Sequence, residues 1–431
     1  MKNVTTVILA AGKGVRMKSQ LPKVLHTLCG KPLLQYSIDL SLKLGIKPIL
    51  VLGSQKDSFK DYASSFKTVF QIKPKGTADA VKLLKKFSHV ISSNLVVLYG
   101  DISLLRPDTI KNLINSHVKS EAAATVLTTY MDNPTGYGRV VRDNLSNILK
   151  IAEEKDATLA EKDIKEINTG IVCFKKKVLF SYINKIKSNN SKKEFYLTDI
   201  FSIFREQRIK INSILLEDCT ESLGINTQKD LVTASKIMRS RIVDDLFEKG
   251  VRIIAPETLF IETDVEIGTD TVIYPYVVID RNVQIGANCS IGPFCHIRQG
   301  SVIKDNNTIG NFTEIVRSKI GKDGFMKHFS YVGDSILGDN VNVGAGVITA
   351  NFDGREKSIT KVKDKAFLGS GTVLVAPVTV GKGAVSGAGS VITKNKNIPD
   401  NSVCMGIPAV VKNIDKKKQK INKSNKKKKK K

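Results

Sequence analysis

The chain has 431 residues, a formal net charge of +27, six cysteines and no tryptophan. This length is sufficient for two or three domains that each bury a core. No apolar run reaches the length of a membrane span, and the apolar segment at residues 7–11 is too short for a secretory signal. The cysteines form no CxxC pair, which argues against a disulfide framework or a zinc site and favours a reducing cytoplasm.

Much of the positive charge lies at the C-terminus. Residues 416–431 contain eleven lysines and no acidic residue, which leaves +16 for the rest of the chain. The lysines are not interleaved with aromatic residues of the kind that stack nucleic-acid bases, so nucleic acid is not favoured as a partner. We interpret residues 413–431 as a disordered, solvated tail. Binding of RNA, membrane lipid or another polyanion through these lysines is the alternative.

The first 227 residues have the pattern of an α/β domain. Apolar strand-like segments alternate with helical patterns, which is typical of a mostly parallel sheet. Strands are predicted at residues 4–10, 48–52, 95–99, 122–128 and 170–174. Residues 228–251 have the apolar spacing of an amphipathic helix, which we interpret as a rigid connector to a second domain.

A glycine-rich turn follows the first predicted strand. It contains, in order, Leu9, Ala10, Ala11, Gly12, Gly14, Arg16 and, shortly afterwards, Lys23. Backbone N–H groups of such a turn can point at a phosphate, and Arg16 and Lys23 add positive charge. The motif is neither a Walker loop nor a complete dinucleotide fingerprint, so a plain tight turn is the alternative.

A second motif, Tyr99-Gly100-Asp101, ends the strand predicted at residues 95–99. A carboxylate at the carboxyl edge of a sheet is well placed to bind a metal ion. An ordinary turn after a strand is the alternative interpretation.

Isoleucine recurs with a period of six in the second half of the chain. The ten positions are Ile261, Ile267, Ile273, Ile279, Ile285, Ile291, Ile297, Ile303, Ile309 and Ile315. This period fits neither a helix nor a simple strand, and it predicts a β-solenoid that buries a column of isoleucine. The solenoid is predicted from near Arg252 to near Lys412. The polar segment 351–365 is predicted to leave it as a loop, either functional or a tolerated insertion.

Segments along the chain resemble one enzyme family. The glycine-rich turn with Pro22 and Lys23 resembles sugar-1-phosphate nucleotidyltransferases, and the hexapeptide repeats resemble the left-handed β-helix of acyltransferases. Further matching segments are 132–139, 152–157, 166–170 and 194–199. Together they resemble the bacterial bifunctional N-acetylglucosamine-1-phosphate uridyltransferase/glucosamine-1-phosphate acetyltransferase. The resemblance implies a Rossmann-like α/β nucleotidyltransferase domain at 1–227, a linker helix at 228–251 and a left-handed parallel β-helix at 252–412.

For the first domain, the resemblance implies Mg²⁺-dependent uridyl transfer from UTP to N-acetylglucosamine 1-phosphate. Nucleotide binding is then expected of the glycine-rich turn, Tyr99 and Gly100, and of a uracil site formed by Gln71, Gly76 and Thr77. Asp101 and Asn226 would bind Mg²⁺. The sugar phosphate would be held by Gly138, Glu153, Asn168 and Thr198. Such a site works by positioning and charge neutralisation.

For the second domain, the resemblance implies transfer of an acetyl group from acetyl-CoA to glucosamine 1-phosphate. His328 would act as the base and Glu314 as a nearby carboxylate, because a neutral imidazole can take a proton from the attacking amine near pH 7. The sugar phosphate would be held by Arg298, Tyr331, Asn342 and Lys357. Acetyl-CoA would be held by Ala345, Asn351, Phe352, Ser370 and Ala388.

Three positions depart from the family pattern. Val316 stands where the family has a lysine on the sugar phosphate, Phe352 replaces a tyrosine, and the C-terminal arginine of the CoA site has no counterpart near residues 405–408. We therefore expect acetyl transfer to be weak. The solenoid and the cysteine usage lead us to expect a homotrimer in the cytoplasm. The alternative is a uridyltransferase whose solenoid only assembles or regulates the protein.

Overall fold

A nine-stranded sheet forms the centre of the N-terminal unit of the computed structural model, which describes residues 3–412. Its strands are β1 (Val4–Ala10), β2 (Ile49–Leu52), β3 (Lys67–Phe70), β4 (Asn94–Tyr99), β5 (Ala124–Tyr130), β6 (Gly138–Arg142), β7 (Ile148–Ala152), β8 (Glu166–Lys175) and β9 (Ile211–Leu215). The order is β9-β5-β8-β4-β1-β2-β3, while β6 pairs with β8 and β7. A short hairpin joins Thr27–Leu28 to Lys31–Pro32.

The sheet is mixed rather than mostly parallel. β8 runs antiparallel to β4, β5 and β6, and β6 runs antiparallel to β7. The pairs β1–β2, β1–β4, β2–β3 and β5–β9 are parallel. Each predicted strand overlaps an observed one. The edge strands β3 and β9 escaped prediction because their residues are only partly buried and form no continuous apolar run.

Eight α-helices occur among residues 3–412. They are α1 (Leu33–Lys43), α2 (Lys60–Ser65), α3 (Thr77–Lys82), α4 (Pro107–Ser120), α5 (Leu159–Lys162), α6 (Lys176–Tyr182), α7 (Ile200–Glu206) and α8 (Gln228–Glu248). Within this range, no helix combines the length and apolar character that crossing a membrane requires. The chain divides into two compact units between Ile237 and Met238, inside α8. The boundaries at 227 and 251 stay predictions, and the tail at 413–431 lies outside the described residues.

The second unit is a left-handed β-helix of three parallel sheets, here called faces A, B and C in the order in which the chain visits them. Face A contains Arg252–Ile253, Val272–Ile273, Ser290–Ile291, Thr308–Ile309, Phe325–Met326, Asn342–Val343, Phe367–Leu368, Val385–Ser386, Val403–Met405 and, antiparallel at its end, Val410–Lys412. Face B contains Phe260–Ile261, Val278–Ile279, His296–Ile297, Thr313–Val316, Ser330–Gly333, Ile348–Ala350, Val373–Val375 and Val391–Ile392. Face C contains Glu266–Ile267, Gln284–Ile285, Val302–Ile303, Lys319–Ile320, Ser335–Leu337, Thr360–Val362 and Val378–Val380.

The isoleucine column points inward as predicted. All ten isoleucines of the six-residue repeat are 6% exposed or less. At the corners, successive coils come so close that a side chain would not fit: a Cβ on Gly310 would lie 1.9 Å from the carbonyl oxygen of Lys327. Glycine after the inward Ile309 is therefore a steric requirement of this corner.

The predicted loop is real but shorter than expected. Ser335 pairs with Thr360, 25 residues later, whereas Thr360 pairs with Val378 after only 18, so one coil carries an insertion. The prediction of a loop as far as residue 365 is wrong, because Thr360–Val362 is a strand of face C. Thr360 and Val362 are buried, and their alternation with an exposed lysine marks an ordinary coil position.

Candidate active sites

Two cations and two oxygen donors meet at the carboxyl edge of the central sheet. Lys23 Nζ donates to Asn226 Oδ1 at 2.9 Å and forms an ion pair with Asp101. Arg16 Nη2 donates to the same Asn226 oxygen, also at 2.9 Å. Gly14 has a φ of 62°, and a Cβ there would lie 2.6 Å from Cβ of Lys23. Glycine is thus needed at this turn for Lys23 to approach.

Backbone hydrogen bonds fix the positions of Asp101 and Asn226, whose side-chain oxygens meet at this edge. Gly100 N donates to Leu9 O at 3.0 Å, which ties the end of β4 to the end of β1. Ile225 N donates to Asp101 O at 2.9 Å and so brings the following residue, Asn226, beside Asp101. Because both side-chain oxygens contact one ammonium group, they converge on one point. A carboxylate and an amide oxygen are hard donors of the kind that suit a divalent cation.

The residues predicted for uracil form a second group beside α3. The buried Gln71 donates through Nε2 to Gly76 O at 3.2 Å and to Asp79 Oδ2 at 2.7 Å. Thr77 Oγ1 accepts from Leu197 N at 2.9 Å. Sequence reasoning missed Asp79, although its place in the first turn of α3, three residues after Gly76, was available as a signal.

The residues predicted for the sugar phosphate are also brought together. Thr198 Oγ1 donates to Glu153 Oε1 at 2.8 Å. Gly138 on β6 is the cross-strand partner of Asn168 on β8. Burial raises the pKa of Glu153, and burial with neighbouring carboxylates raises the pKa of Asp199 to about 6. Asp199, which follows Thr198 in the chain, therefore changes its charge close to neutral pH.

Tyr99 lies between these groups. Burial first, and then the negative charges of Glu153 and Asp101, raise the pKa of its hydroxyl. The close approach of its ring depends on Gly170, whose φ is 84°, since a Cβ there would lie 2.9 Å from Cε2 of Tyr99. The residues predicted to bind the sugar phosphate and those predicted to bind the metal thus lie around one side chain, that of Tyr99.

On the solenoid, a polar row crosses face B. Glu314 lies in register between His296 of the preceding coil and Tyr331 of the next. Arg298 Nη1 donates to Glu314 Oε1 at 3.0 Å. Tyr331 Oη donates to Asn351 Oδ1 at 3.4 Å, at the corner between faces B and C.

The same corner contains the remaining predicted loop residues. Asn351 is only 7% exposed, and its Nδ2 donates to Asp334. A hydrogen bond from Arg317 and, more weakly, the positive charge of Lys357 lower the pKa of Asp334. Phe352 is 57% exposed beside them. Asp334 was not among the predicted site residues, although it ends the segment that contains His328 and Tyr331.

The other predicted residues lie at the opposite edge of face B. His328 is exposed in the turn between Phe325–Met326 and Ser330–Gly333. Ala345, Ser370 and Ala388 follow one another along this corner in successive coils. Asn342 lies on face A, next to the same corner. The structure therefore divides the predicted acetyl-transfer residues of one chain into two groups.

Val316 lies beside Arg298, as the 18-residue spacing predicted. Arg298 N donates to Ile315 O at 2.8 Å, which stacks the two coils. Val316 is 3% exposed. The position that carries a lysine in the resembling family is thus an apolar contact here.

Comparison with known proteins follows the same division of the chain. A family model described as nucleotidyl transferase matches residues 5–219, and one described as GMPPB C-terminal domain matches residues 255–351. A protein of Geobacillus sp. (strain WCH70) named bifunctional protein GlmU is 40% identical, over 92% of this chain and 94% of the relative. Proteins of the same name from Clostridioides difficile and Brevibacillus brevis are each 38% identical, over 94% and 96% of this chain and 95% and 97% of the relatives.

Proposed function

The chain belongs to the family of bifunctional GlmU proteins, uridyltransferases and acetyltransferases, and we propose that its two activities use the residues described above. The N-terminal unit transfers a uridylyl group from UTP to N-acetylglucosamine 1-phosphate and releases pyrophosphate. The solenoid transfers an acetyl group from acetyl-CoA to the amine of glucosamine 1-phosphate. The observation that carries the proposal is the meeting of Arg16, Lys23, Asp101 and Asn226 at one sheet edge.

For uridyl transfer, we propose that Arg16 and Lys23 bind the triphosphate and neutralise the charge that develops on pyrophosphate. Gln71, Gly76 and Thr77 hold the uracil, while Gly138, Glu153, Asn168 and Thr198 hold the acceptor sugar. The acceptor phosphate then attacks the α-phosphorus in line. No side chain forms a covalent intermediate, so the contribution of the protein is positioning and charge.

A nucleotidyltransferase of this family implies a divalent metal, and we propose Mg²⁺ held by Asp101 and Asn226. Their oxygens fit the preference of this ion, and phosphate oxygens and water would supply its other ligands. When bound, Mg²⁺ would offset the negative charge of the triphosphate. Lys23, which pairs with Asp101 in the structure, would be available to the phosphates once Asp101 holds the metal.

For acetyl transfer, we propose His328 as the base that takes the proton from the attacking amine, with Glu314 nearby. Arg298, Tyr331, Asn342 and Lys357 bind the sugar phosphate. Ala345, Asn351, Phe352, Ser370 and Ala388 line the groove for acetyl-CoA.

We propose a homotrimer as the working assembly. The predicted acetyl-transfer residues lie at two edges of face B, so a neighbouring chain that brings its His328 edge to the Tyr331 edge would complete the site. No disulfide links the six cysteines, all of which lie within residues 3–412, and this, with the need for UTP and acetyl-CoA, favours a reducing cytoplasm as its location.

Paired assays on one purified preparation test the proposal. One measures pyrophosphate release from UTP and N-acetylglucosamine 1-phosphate with Mg²⁺, and the other measures thiol release from acetyl-CoA and glucosamine 1-phosphate. Release of both products is expected. The buried Val316 favours one second candidate, a uridyltransferase with a structural solenoid, which pyrophosphate release without thiol release would support.

A further inference from the structure

We propose that Arg317 and Asp334 are positioning residues for acetyl transfer, because together they fix the side-chain amide of Asn351 and, through it, the hydroxyl of Tyr331. This inference rests on the proposed acetyltransferase function, in which Asn351 contacts acetyl-CoA and Tyr331 contacts the sugar phosphate. It assigns a role to two side chains that are not themselves placed against either substrate.

Arg317 and Asp334 are stacked in consecutive coils at the corner between faces B and C. Both have left-handed backbone conformations, with φ of 47° and 46°. Asp334 N donates to Val316 O at 2.9 Å, which holds the two corners in register. Nε and Nη2 of Arg317 donate to the two oxygens of Asp334, each at 2.7 Å. A two-point contact of this kind fixes the plane of the carboxylate as well as its charge.

The fixed carboxylate in turn determines how Asn351 is oriented. Asp334 Oδ2 accepts from Asn351 Nδ2, which leaves Asn351 Oδ1 to accept from Tyr331 Oη at 3.4 Å. A rotated amide would place Oδ1 against the carboxylate and present its NH₂ group to the tyrosine. Because Asn351 is only 7% exposed, loss of that hydrogen bond would leave a largely buried amide without its partner. Asp334 therefore selects one of the two amide orientations.

This network joins the two substrates of the proposed reaction. Nε and Nη2 of Arg317 both donate to Asp334. This hydrogen bonding is the largest factor that lowers the pKa of the Asp334 carboxyl group. Because Arg317 directs these two N–H groups at Asp334, we assign it no contact with the sugar phosphate. Its effect on catalysis passes through Asp334 and Asn351.

The test uses acetyl transfer by the full chain and two kinds of variant. Asp334→Asn should lower kcat by about tenfold or more, the effect of losing one buried hydrogen bond to a charged group. Asn351→Asp should do the same, since two carboxylates would then face each other. The exchange Asp334→Asn with Asn351→Asp restores a donor and an acceptor, and it should recover at least about fivefold over either single variant.

Asp305→Asn is the matched control. Asp305 also forms a cross-coil ion pair, with Lys322 at 2.8 Å, but neither residue contacts the proposed site residues among residues 3–412. It should leave kcat for acetyl transfer within about twofold of wild type. Uridyl transfer and the thermal unfolding midpoint are measured for every variant, so that a damaged fold is recognised.

Two results would overturn the positioning role. One is a wild-type kcat in Asp334→Asn, and the other is an exchange variant that is no more active than the single variants although it unfolds at the wild-type temperature. Calorimetry of acetyl-CoA binding separates this from failure of the proposed function. If wild type neither binds acetyl-CoA nor releases thiol, the acetyltransferase proposal fails and the positioning role fails with it.

Discussion

At the scale of single residues, Lys23 pairs with Asp101 in the structure and would bind the triphosphate of UTP in the proposed reaction. It contacts Asp101 and Asn226 in the structure, and UTP with Mg²⁺ would compete for all three groups. We predict that Lys23→Ala and Asp101→Ala each lower uridyl transfer at least about 100-fold, the scale for a preorganised charge-stabilising group. Initial rates of pyrophosphate release check this. Lys150→Ala, which removes a surface ion pair with Glu161, should change the rate less than about twofold, and a wild-type rate in either site variant would contradict the assignment.

Val316 tests the second activity at the same scale. Arg298 and Lys357 are left to bind the sugar phosphate, because valine offers no charge there. Restoring the positive charge with Val316→Lys should lower the KM for glucosamine 1-phosphate by about 10-fold or more, which corresponds to one charge-assisted hydrogen bond. Val316→Met, of similar length but neutral, is the control and should not lower the KM. His328→Ala should abolish thiol release, and absent thiol release in both wild type and Val316→Lys would make the solenoid a scaffold.

At the scale of elements, the turn that leads into α3 depends on Gly76. Its φ is 112°, and a Cβ would lie 2.4 Å from the carbonyl oxygen of Phe195. Gly76→Ala should therefore destabilise the N-terminal unit by about 1–3 kcal/mol through backbone strain, with the contact adding to it. Urea unfolding measures the loss. Gly53→Ala is the control, because its φ is ordinary and its Cβ would meet Ala11 at 3.6 Å.

Elements were predictable from sequence where burial is periodic and local. The isoleucine column was predictable because each coil repeats one inward position. The pairing of the bulged β8, predicted as a strand only at residues 170–174, and of the hairpin of β6 and β7 was not predictable, since it depends on which distant strand each one meets. The loop end at Thr360 was misjudged because a threonine at the inward position resembles the polar insertion before it.

Site residues show the same limit. The cations and Asp101 lie in short motifs and could be found individually, whereas the pairing of Gln71 with Asp79 and of Arg317 with Asp334 appears only when the chain is folded. The cross-coil contacts have separations of 17 residues instead of 18 where the coil shortens. A fixed period of 18 therefore misaligns the residues of neighbouring coils, and the repeat alone could not reveal the contacts of Arg317 with Asp334 and of Asp334 with Asn351.

At the scale of the whole molecule, we predict that acetyl transfer requires assembly and that uridyl transfer does not require the C-terminal tail. Light scattering at micromolar concentration should show a homotrimer, because one chain presents the acetyl-transfer residues at two separate edges. A stable monomer that still releases thiol would contradict this.

Truncation after Ile414 should leave uridyl transfer unchanged. A charge run of this kind is expected to be solvated and to make no contribution to the sheet-edge site. Pyrophosphate release by the truncated and complete chains, compared at equal concentration, measures the effect. A large loss of activity would show that the lysines act in the reaction or in the stability of the fold.

The stability of the whole molecule in acid depends on opposing groups within the N-terminal unit. His117 is buried in α4, with Nδ1 3.0 Å from Thr125 Oγ1, and burial lowers its pKa from 6.5 to about 4. Its contribution to the free energy of unfolding is complete above pH 6.5. It is lost as the pH falls towards 4, because the unfolded chain takes up a proton that the folded domain excludes. The raised pKa of Asp199 acts in the opposite direction, since the folded domain binds that proton first.

A comparison of variants separates the two effects. His117→Gln removes the histidine term and leaves Asp199 in place. The stability of wild type relative to this variant should therefore fall by about 2–3 kcal/mol between pH 7.5 and pH 4.5. Hydrogen exchange of peptides from α4 and β5 in the full chain measures this locally, without requiring the two units to unfold together. The exposed His89, changed to Gln, should show no such dependence on pH. An equal difference at both pH values would show that His117 is protonated as readily in the folded domain as in the unfolded chain.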